Sequence, residues 1–157
     1  VSKFIECQDG SKFIVDDDDF SALSAHSWRR DENGYAVRGC AEAGEYRIVA
    51  MHRVILGLEH GDPRWGDHRS TDKSDNRRSN LRVCTPAQNC QNQGIRKNNT
   101  SGFKGVQWMK AKKKWQAKIC VNRVQKHLGL FETPEAAHEA YCIAARELRG
   151  EFANFGT

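Results

Sequence analysis

Residues 67–89 admit few folds. Asp67 and His68 open a short strand, residues 70–79 make a polar loop, and residues 80–84 return as a strand carrying Leu81 and Val83 on one face. Thr85-Pro86-Ala87-Gln88 then starts a helix. The threonine side chain caps exposed N–H groups, and proline suits the first helical position, where an N–H would have no partner. Gln88 completes a capping box. Asn89 therefore falls in the first turns of that helix, and the segment reads strand, loop, strand, helix.

The flanks extend this into a mixed α+β chain. Apolar and polar residues alternate near 4–7 and 12–15, which predicts two short strands. Asp16 to Asp19 cap a short helix over 20–25, because acidic side chains favour a helix start. Residues 35–38 and 46–51 form a hairpin around a loop at 41–45, and residues 52–56 turn helical and stop at Gly57. After a polar stretch come three strand-like segments near 104–109, 115–121 and 125–131. Thr133-Pro134 launches a helix with Ala137, Ala140, Tyr141, Ala144 and Leu148 on one face, ended by Gly150. The boundaries read from this pattern are a domain at 1–92, a linker at 93–100 and a second domain at 101–157.

Several function classes are set aside. No apolar run approaches the roughly 18 residues that a membrane helix needs. Residues 1–6 lack the apolar core of a signal peptide, so an intracellular, cytoplasmic protein is expected. None of the six cysteines forms a Cys-x-x-Cys pair, which argues against a zinc ribbon or redox motif and for reduced structural thiols. The net charge of +5 is unevenly placed: residues 93–157 carry 12 Lys+Arg against 5 Asp+Glu, and residues 1–92 carry 13 against 15. That asymmetry points to a polyanion partner.

The 67–89 segment also carries chemistry. Hydrolysing a phosphodiester requires an activated water, neutralisation of charge on the phosphate and help for the leaving oxygen. A histidine titrating near neutrality suits proton abstraction from water, and His68 is the candidate base. A hard cation prefers oxygen ligands, which Asp67 offers as a carboxylate and Asn89 as an amide carbonyl. Asn80, twelve positions after His68, is the brace for the loop between the strands. Neighbouring strand residues normally point to opposite faces, so Asp67 and His68 share a site only through an irregular strand start, which Gly66 permits, or through a phosphate that bridges both sides.

These residues, with Met51-His52-Arg53-Val54-Ile55-Leu56-Gly57 upstream and Asp75-Asn76-Arg77-Arg78-Ser79-Asn80-Leu81-Arg82 between, resemble the HNH endonucleases of phage and mobile-intron type. The resemblance implies a ββα-metal unit within 1–92, preceded by a β-rich extension. It implies one divalent metal ion, Mg2+ or Mn2+, with His68 as general base, Asp67 and Asn89 as metal ligands and Asn80 as the middle asparagine. Asparagine at the third position is the variant of the homing-type branch. Arg69 replaces the hydrophobic residue usual after Asp-His and is assigned to the phosphate backbone, as are Arg77, Arg78 and Arg82.

The basic half has a resemblance of its own. Gly102-Phe103-Lys104-Gly105-Val106, Lys114-Trp115-Gln116-Ala117-Lys118-Ile119, His127-Leu128-Gly129-Leu130-Phe131 and Thr133-Pro134-Glu135-Ala136-Ala137 are similar to the plant ethylene-response-factor (Apetala-type) DNA-binding domain. That family implies a three-stranded antiparallel sheet lying in the major groove with one helix packed behind it. The implied DNA-facing residues are Lys104, Gln107, Met109, Lys110, Gln116, Lys118, Arg123, Lys126 and His127. Contact of about six to eight basic residues with phosphates would give a salt slope of about −5 to −7.

The reading is an α+β, metal-dependent, homing-type endonuclease acting on double-stranded DNA as a monomer or homodimer, in a phage or bacterial host context. Two alternatives stay open. One is a non-catalytic DNA-binding regulator on the same scaffold; the other is a restriction or defence nuclease.

Overall fold

A computed structural model describes residues 1–42 and 44–156, and the chain divides into two units, Val1–Pro86 and Ala87–Thr157. In the first unit, β1 (Ser2–Glu6) and β2 (Lys12–Asp16) form an antiparallel hairpin that pairs Ile5 with Phe13. α1 (Asp17–Ser24) follows directly, starting inside the acidic run rather than after it. β3 (Arg29–Arg30), β4 (Ala36–Glu42) and β5 (Glu45–Ala50) make a three-stranded sheet in that order. The expected loop at 41–45 is shorter than predicted, because the strands run on to Glu42 and from Glu45; Ala43 lies outside the described residues. α2 (Met51–Ile55) leads to β6 (Trp65–His68), which pairs with β7 (Leu81–Cys84).

One core ties these pieces together. Ile5, Phe13, Val15, Leu23, Trp28, Met51, Ile55 and Leu81 are buried in a single cluster, so both hairpins and both helices share it. Trp28 is almost fully enclosed, and its indole N–H donates to the Leu23 carbonyl at 2.8 Å, so burial leaves no polar atom unsatisfied there. Leu81 and Val83 share the face that a two-residue strand period gives them in the regular β6–β7 register. Only Leu81 is buried there, Val83 being 39% exposed, while Arg82 on the opposite face is buried.

The second unit begins in α3 (Pro86–Asn92) and continues as β8 (Val106–Met109), β9 (Lys114–Val121) and β10 (Val124–Phe131), an antiparallel sheet in the order β10-β9-β8. Asn122 and Arg123, both at positive φ, make the two-residue turn between β9 and β10. α4 (Pro134–Arg149) starts where the sequence predicts, with the Thr133 hydroxyl accepting from the Ala136 N–H at 3.2 Å. Its buried residues are Ala137, Tyr141, Ala144 and Ala145, packed with Val106, Ala117 and Ile119 of the sheet. Leu148, placed in this stripe from sequence, is 40% exposed. Gly105 sits at φ +75°, and a Cβ there would lie 2.1 Å from the Tyr141 ring, so only glycine lets the chain pass the helix.

α3 is tied into this second unit by polar contacts. Lys104 Nζ donates to the carbonyls of Gln91 and Gln93, Arg149 Nη1 to that of Gln91, and Asn154 Nδ2 to that of Asn92. Among the described residues no helix is long and apolar enough to cross a membrane.

Candidate active site

Asp67 and His68 close β6 rather than opening it, and pair in regular register with Arg82 and Leu81. Gly66 provides no irregularity in this strand. Its role is clearance: a Cβ at Gly66 would stand 2.5 Å from His52 Cδ2, so the missing side chain lets the His52 ring lie against β6.

Three rings meet at that point. His52 and His68 contact edge to face with centroids 5.1 Å apart, and Tyr35 lies 5.1 Å from His52 and 5.9 Å from His68. Lys73 Nζ stands 4.2 Å from the Tyr35 ring centroid and donates to the Asn33 carbonyl. Both imidazoles are buried. His52 is pushed down to about 3, first by burial and then by the neighbouring His68, Arg53 and Lys73. Burial also lowers the pKa of His68, against the opposing pull of the Asn76 hydrogen bond and of the Asp67 and Asp72 charges. Both rings are therefore biased towards the neutral form, the form in which an imidazole can accept a proton.

The loop at 70–79 is built around two asparagines. Asn80 Oδ1 accepts from the Ser70 N–H at 3.0 Å, and its Nδ2 donates to the Asp75 carbonyl at 2.7 Å, so one amide spans the loop. The Asn76 N–H donates to the Ile14 carbonyl at 2.8 Å, and its side-chain Oδ1 lies 3.3 Å from His68 Nε2. The Ile14 N–H in turn donates to the Ser74 carbonyl, which hangs the loop on β2. The N-terminal hairpin is thus a support for the candidate base. The acidic run serves the same end: the Arg78 N–H donates to Asp16, and its guanidinium pairs with Asp19 at 2.7 Å. Asp16 makes no side-chain cap to α1, contrary to the capping role expected of this run.

Asp67 carries the other half of the site. Its Oδ2 accepts from Arg82 Nε at 2.8 Å and pairs with Nη2 at 2.7 Å, and both side chains are only 6% exposed. Arg82, expected on a phosphate, is therefore a correction: the register sets it across from Asp67, and a buried carboxylate holds it there. Lys104 is a second correction, since its ammonium is taken by carbonyls at the end of α3. Burial also drops its pKa to about 8, which further weakens it as a fixed positive charge. Arg77 pairs with Asp75 at 2.6 Å, so it and Arg78 hold local carboxylates while staying partly exposed. Arg69 is exposed at the start of the loop.

Asn89 lies on α3, within the second unit. On the sheet of that unit, Gln107, Gln116, Lys118 and His127 occupy the row opposite to the helix-packed Val106, Ala117 and Ile119. Lys126 pairs with Ile119 and so belongs to the other row, because Lys126 and His127 are neighbours and cannot share a face. Lys110 and Arg123 are exposed at the turns. Among the described residues no group of three or more His, Cys, Asp or Glu is arranged to hold a metal.

The sequence alone assigns neither His52 nor Tyr35 to this site, where both rings lie against each other and against His68. Arg53 donates to the carbonyls of Glu59 and Arg64, which staples the loop before β6. A signal for His52 was present: Gly66, two residues before His68 on one strand face, marks a close approach by another group.

His52 also yields a pH prediction. Its pKa falls from an ordinary value of about 6.5 to about 3 on folding, so its contribution to stability is full above pH 6.5 and is lost as pH falls from there towards 3. Between pH 7 and pH 5 that loss is roughly 2 kcal/mol. Urea denaturation of wild type and His52→Phe at the two pH values is expected to show a smaller loss in the variant; equal losses would contradict the assignment.

Comparison with known proteins adds a family. The HNH endonuclease profile matches residues 49–91, from the end of β5 through α3. The chain is 31% identical over 148 residues to an uncharacterized HNH endonuclease of Acanthamoeba polyphaga mimivirus, covering 92% of this chain and 74% of that protein. It is 32% identical over 89 residues to Protein 3.8 of Escherichia phage T7, covering 57% of this chain and 73% of that one. No solved structure matches the chain at comparable significance.

Proposed function

The chain belongs to the HNH endonuclease family, and from that premise we propose that it is a metal-dependent, homing-type endonuclease that hydrolyses phosphodiester bonds in double-stranded DNA. The observation that carries this reading is the setting of His68, a neutral-biased imidazole next to a carboxylate on β6 and anchored to the loop by Asn76. His68 takes a proton from water as the water oxygen bonds to phosphorus and the P–O3′ bond breaks. The departing 3′-oxygen is protonated from solvent, which leaves a 5′-phosphate and a 3′-hydroxyl. Asn80 holds the loop that fixes the base, and Arg82 balances and orients the Asp67 carboxylate.

The donor chemistry fits a hard cation, since Asp67 and Asn89 both offer oxygen, and Mg2+ is commonly held by one or two carboxylates plus substrate phosphate. When bound by Asp67 and Asn89, Mg2+ or Mn2+ supplies charge neutralisation at the phosphate and the leaving oxygen.

The second unit is the proposed DNA-holding part, an ethylene-response-factor-like sheet presenting Gln107, Gln116, Lys118 and His127 with Lys110, Arg123 and Lys126 at its margins. Arg82 and Lys104 drop out of the phosphate-contact set. With Arg69, Arg77 and Arg78 kept in that set, and two contacts removed from the six to eight, the salt slope is expected at about −4 to −5. Fluorescence anisotropy across a salt series measures it, and a slope near zero would remove the anchor.

The burial of Asp67 and its pairing with Arg82 favour one second reading, a DNA-binding regulator that keeps the scaffold without cutting. Incubation with randomised DNA across a metal titration, followed by sequencing of the products, separates the two. A nuclease gives metal-dependent ends clustered at a target; a regulator gives none.

A further inference from the structure

The register of β8, β9 and β10 decides which side chains stand together on the face turned away from α4. Gln107 lies directly across from Gln116, and Gln116 directly across from Leu130. Two amides and one aliphatic group therefore form a single row over the three strands. The row depends on an irregularity in β10. His127 pairs with Lys118 and Gly129 with Ala117, and the extra residue between them, Leu128, packs with the core. His127 and Leu130 thus share the outer face, which strict alternation would forbid for residues three apart. The flanking rows are Met109 with Lys114 on one side and Lys118 with His127 on the other. No arginine and no carboxylate stands in these three rows. Gln107 is exposed and Gln116 half-buried, and neither amide is hydrogen-bonded to any other described residue.

A glutamine amide carries a carbonyl acceptor and an NH2 donor in one plane. Adenine presents the matching pair in the major groove, an N6 amino donor beside the N7 acceptor. Guanine presents two acceptors there, N7 and O6, so the amide oxygen would meet an oxygen. An arginine fork suits guanine, and the row has none. A leucine side chain supplies the apolar surface that meets a thymine methyl. Spacing agrees as well. Directly opposed strand residues have Cβ atoms about 4.5–5.5 Å apart, and stacked bases follow each other at about 3.4 Å. The two amides therefore reach base pairs that are adjacent or separated by one step.

We propose that the Gln107–Gln116–Leu130 row is specificity-determining and reads A·T base pairs in the major groove, each amide pairing with an adenine and Leu130 lying against a thymine methyl. The inference rests on the reading of the second unit as the DNA-holding part, and it names the sequence class of the DNA held there. Each glutamine Oε1 accepts from adenine N6, and each Nε2 donates to adenine N7.

The test reads sequence preference apart from cleavage. The full chain is equilibrated with a randomised duplex pool in chelator, so that bound DNA stays intact, and the retained duplexes are sequenced. The retained site is expected to hold two A·T pairs, adjacent or one step apart. By fluorescence anisotropy, replacing either pair with G·C is expected to raise Kd about 5- to 150-fold. Gln116→Arg is expected to turn the preference to G·C at one of the two positions and to leave the other unchanged. Gln107→Ala combined with Gln116→Ala is expected to bind both sequences about equally with the wild-type salt slope, since the phosphate contacts remain. A retained site without A·T enrichment, or an A·T preference that survives in the double variant, overturns the proposal. Failure of the DNA-holding reading is seen separately: wild-type binding then has a salt slope near zero, and the row has no duplex to read.

Discussion

His68→Ala is expected to lower the rate of DNA cleavage by about 10²- to 10⁴-fold while leaving DNA affinity within a factor of about two. The size follows from what a positioned general base contributes, and the selectivity from the position of the residue. His68 is buried among His52, Tyr35 and Asn76 in the first unit, whereas the basic positions proposed to meet phosphate are other side chains that are at least partly exposed. Removing the ring also leaves a small cavity, so the variant should be somewhat less stable. Cleavage is therefore measured well below its unfolding temperature, with anisotropy reporting binding on the same sample. Wild-type rates in the variant would remove His68 from the chemistry.

The second large effect concerns stability. Arg82→Met is expected to destabilise the first unit by about 3–5 kcal/mol, because it leaves the Asp67 carboxylate buried without its counter-charge. Adding Asp67→Leu should recover most of that loss, since replacing both members of a buried pair by apolar residues is often close to neutral. The double variant then distinguishes two roles of one side chain. It is expected to be folded and to bind DNA, yet not to cleave, because the proposed metal ligand is gone. Urea denaturation of the wild type, the single variant and the double variant gives the cycle. An Arg82→Met cost under about 1 kcal/mol would mean that the pair does little for the fold.

Much of the architecture was legible because local chemistry and periodicity agree. Thr133-Pro134 and Gly150 mark the two ends of α4, and alternation along β9 identifies Ala117 and Ile119 as inward. The strand, loop, strand, helix order around His68 was legible for the same reason. Information that depends on register was not. Arg82 reads as a surface cation until the β6–β7 pairing sets it across from Asp67. Lys126 and His127 both look outward until the β9–β10 register assigns them to opposite rows. Lys104 looks like a DNA contact until the carbonyls of Gln91 and Gln93 come within its reach. His52 joins the site from α2, and Tyr35 from the segment before β4, outside the matched family region. The acidic run was read as a helix cap, and its work on Arg78 is a contact across 59 to 62 residues that no local rule anticipates.

Supercoiled plasmid incubated with Mg2+ tests the central claim most directly. The wild-type chain is expected to convert it to open circles or linears ending in 5′-phosphate and 3′-hydroxyl, with chelator or His68→Ala preventing the conversion. Plasmid that stays supercoiled at every metal concentration, while anisotropy reports it bound, would contradict the enzyme and leave a DNA-binding protein on an HNH scaffold.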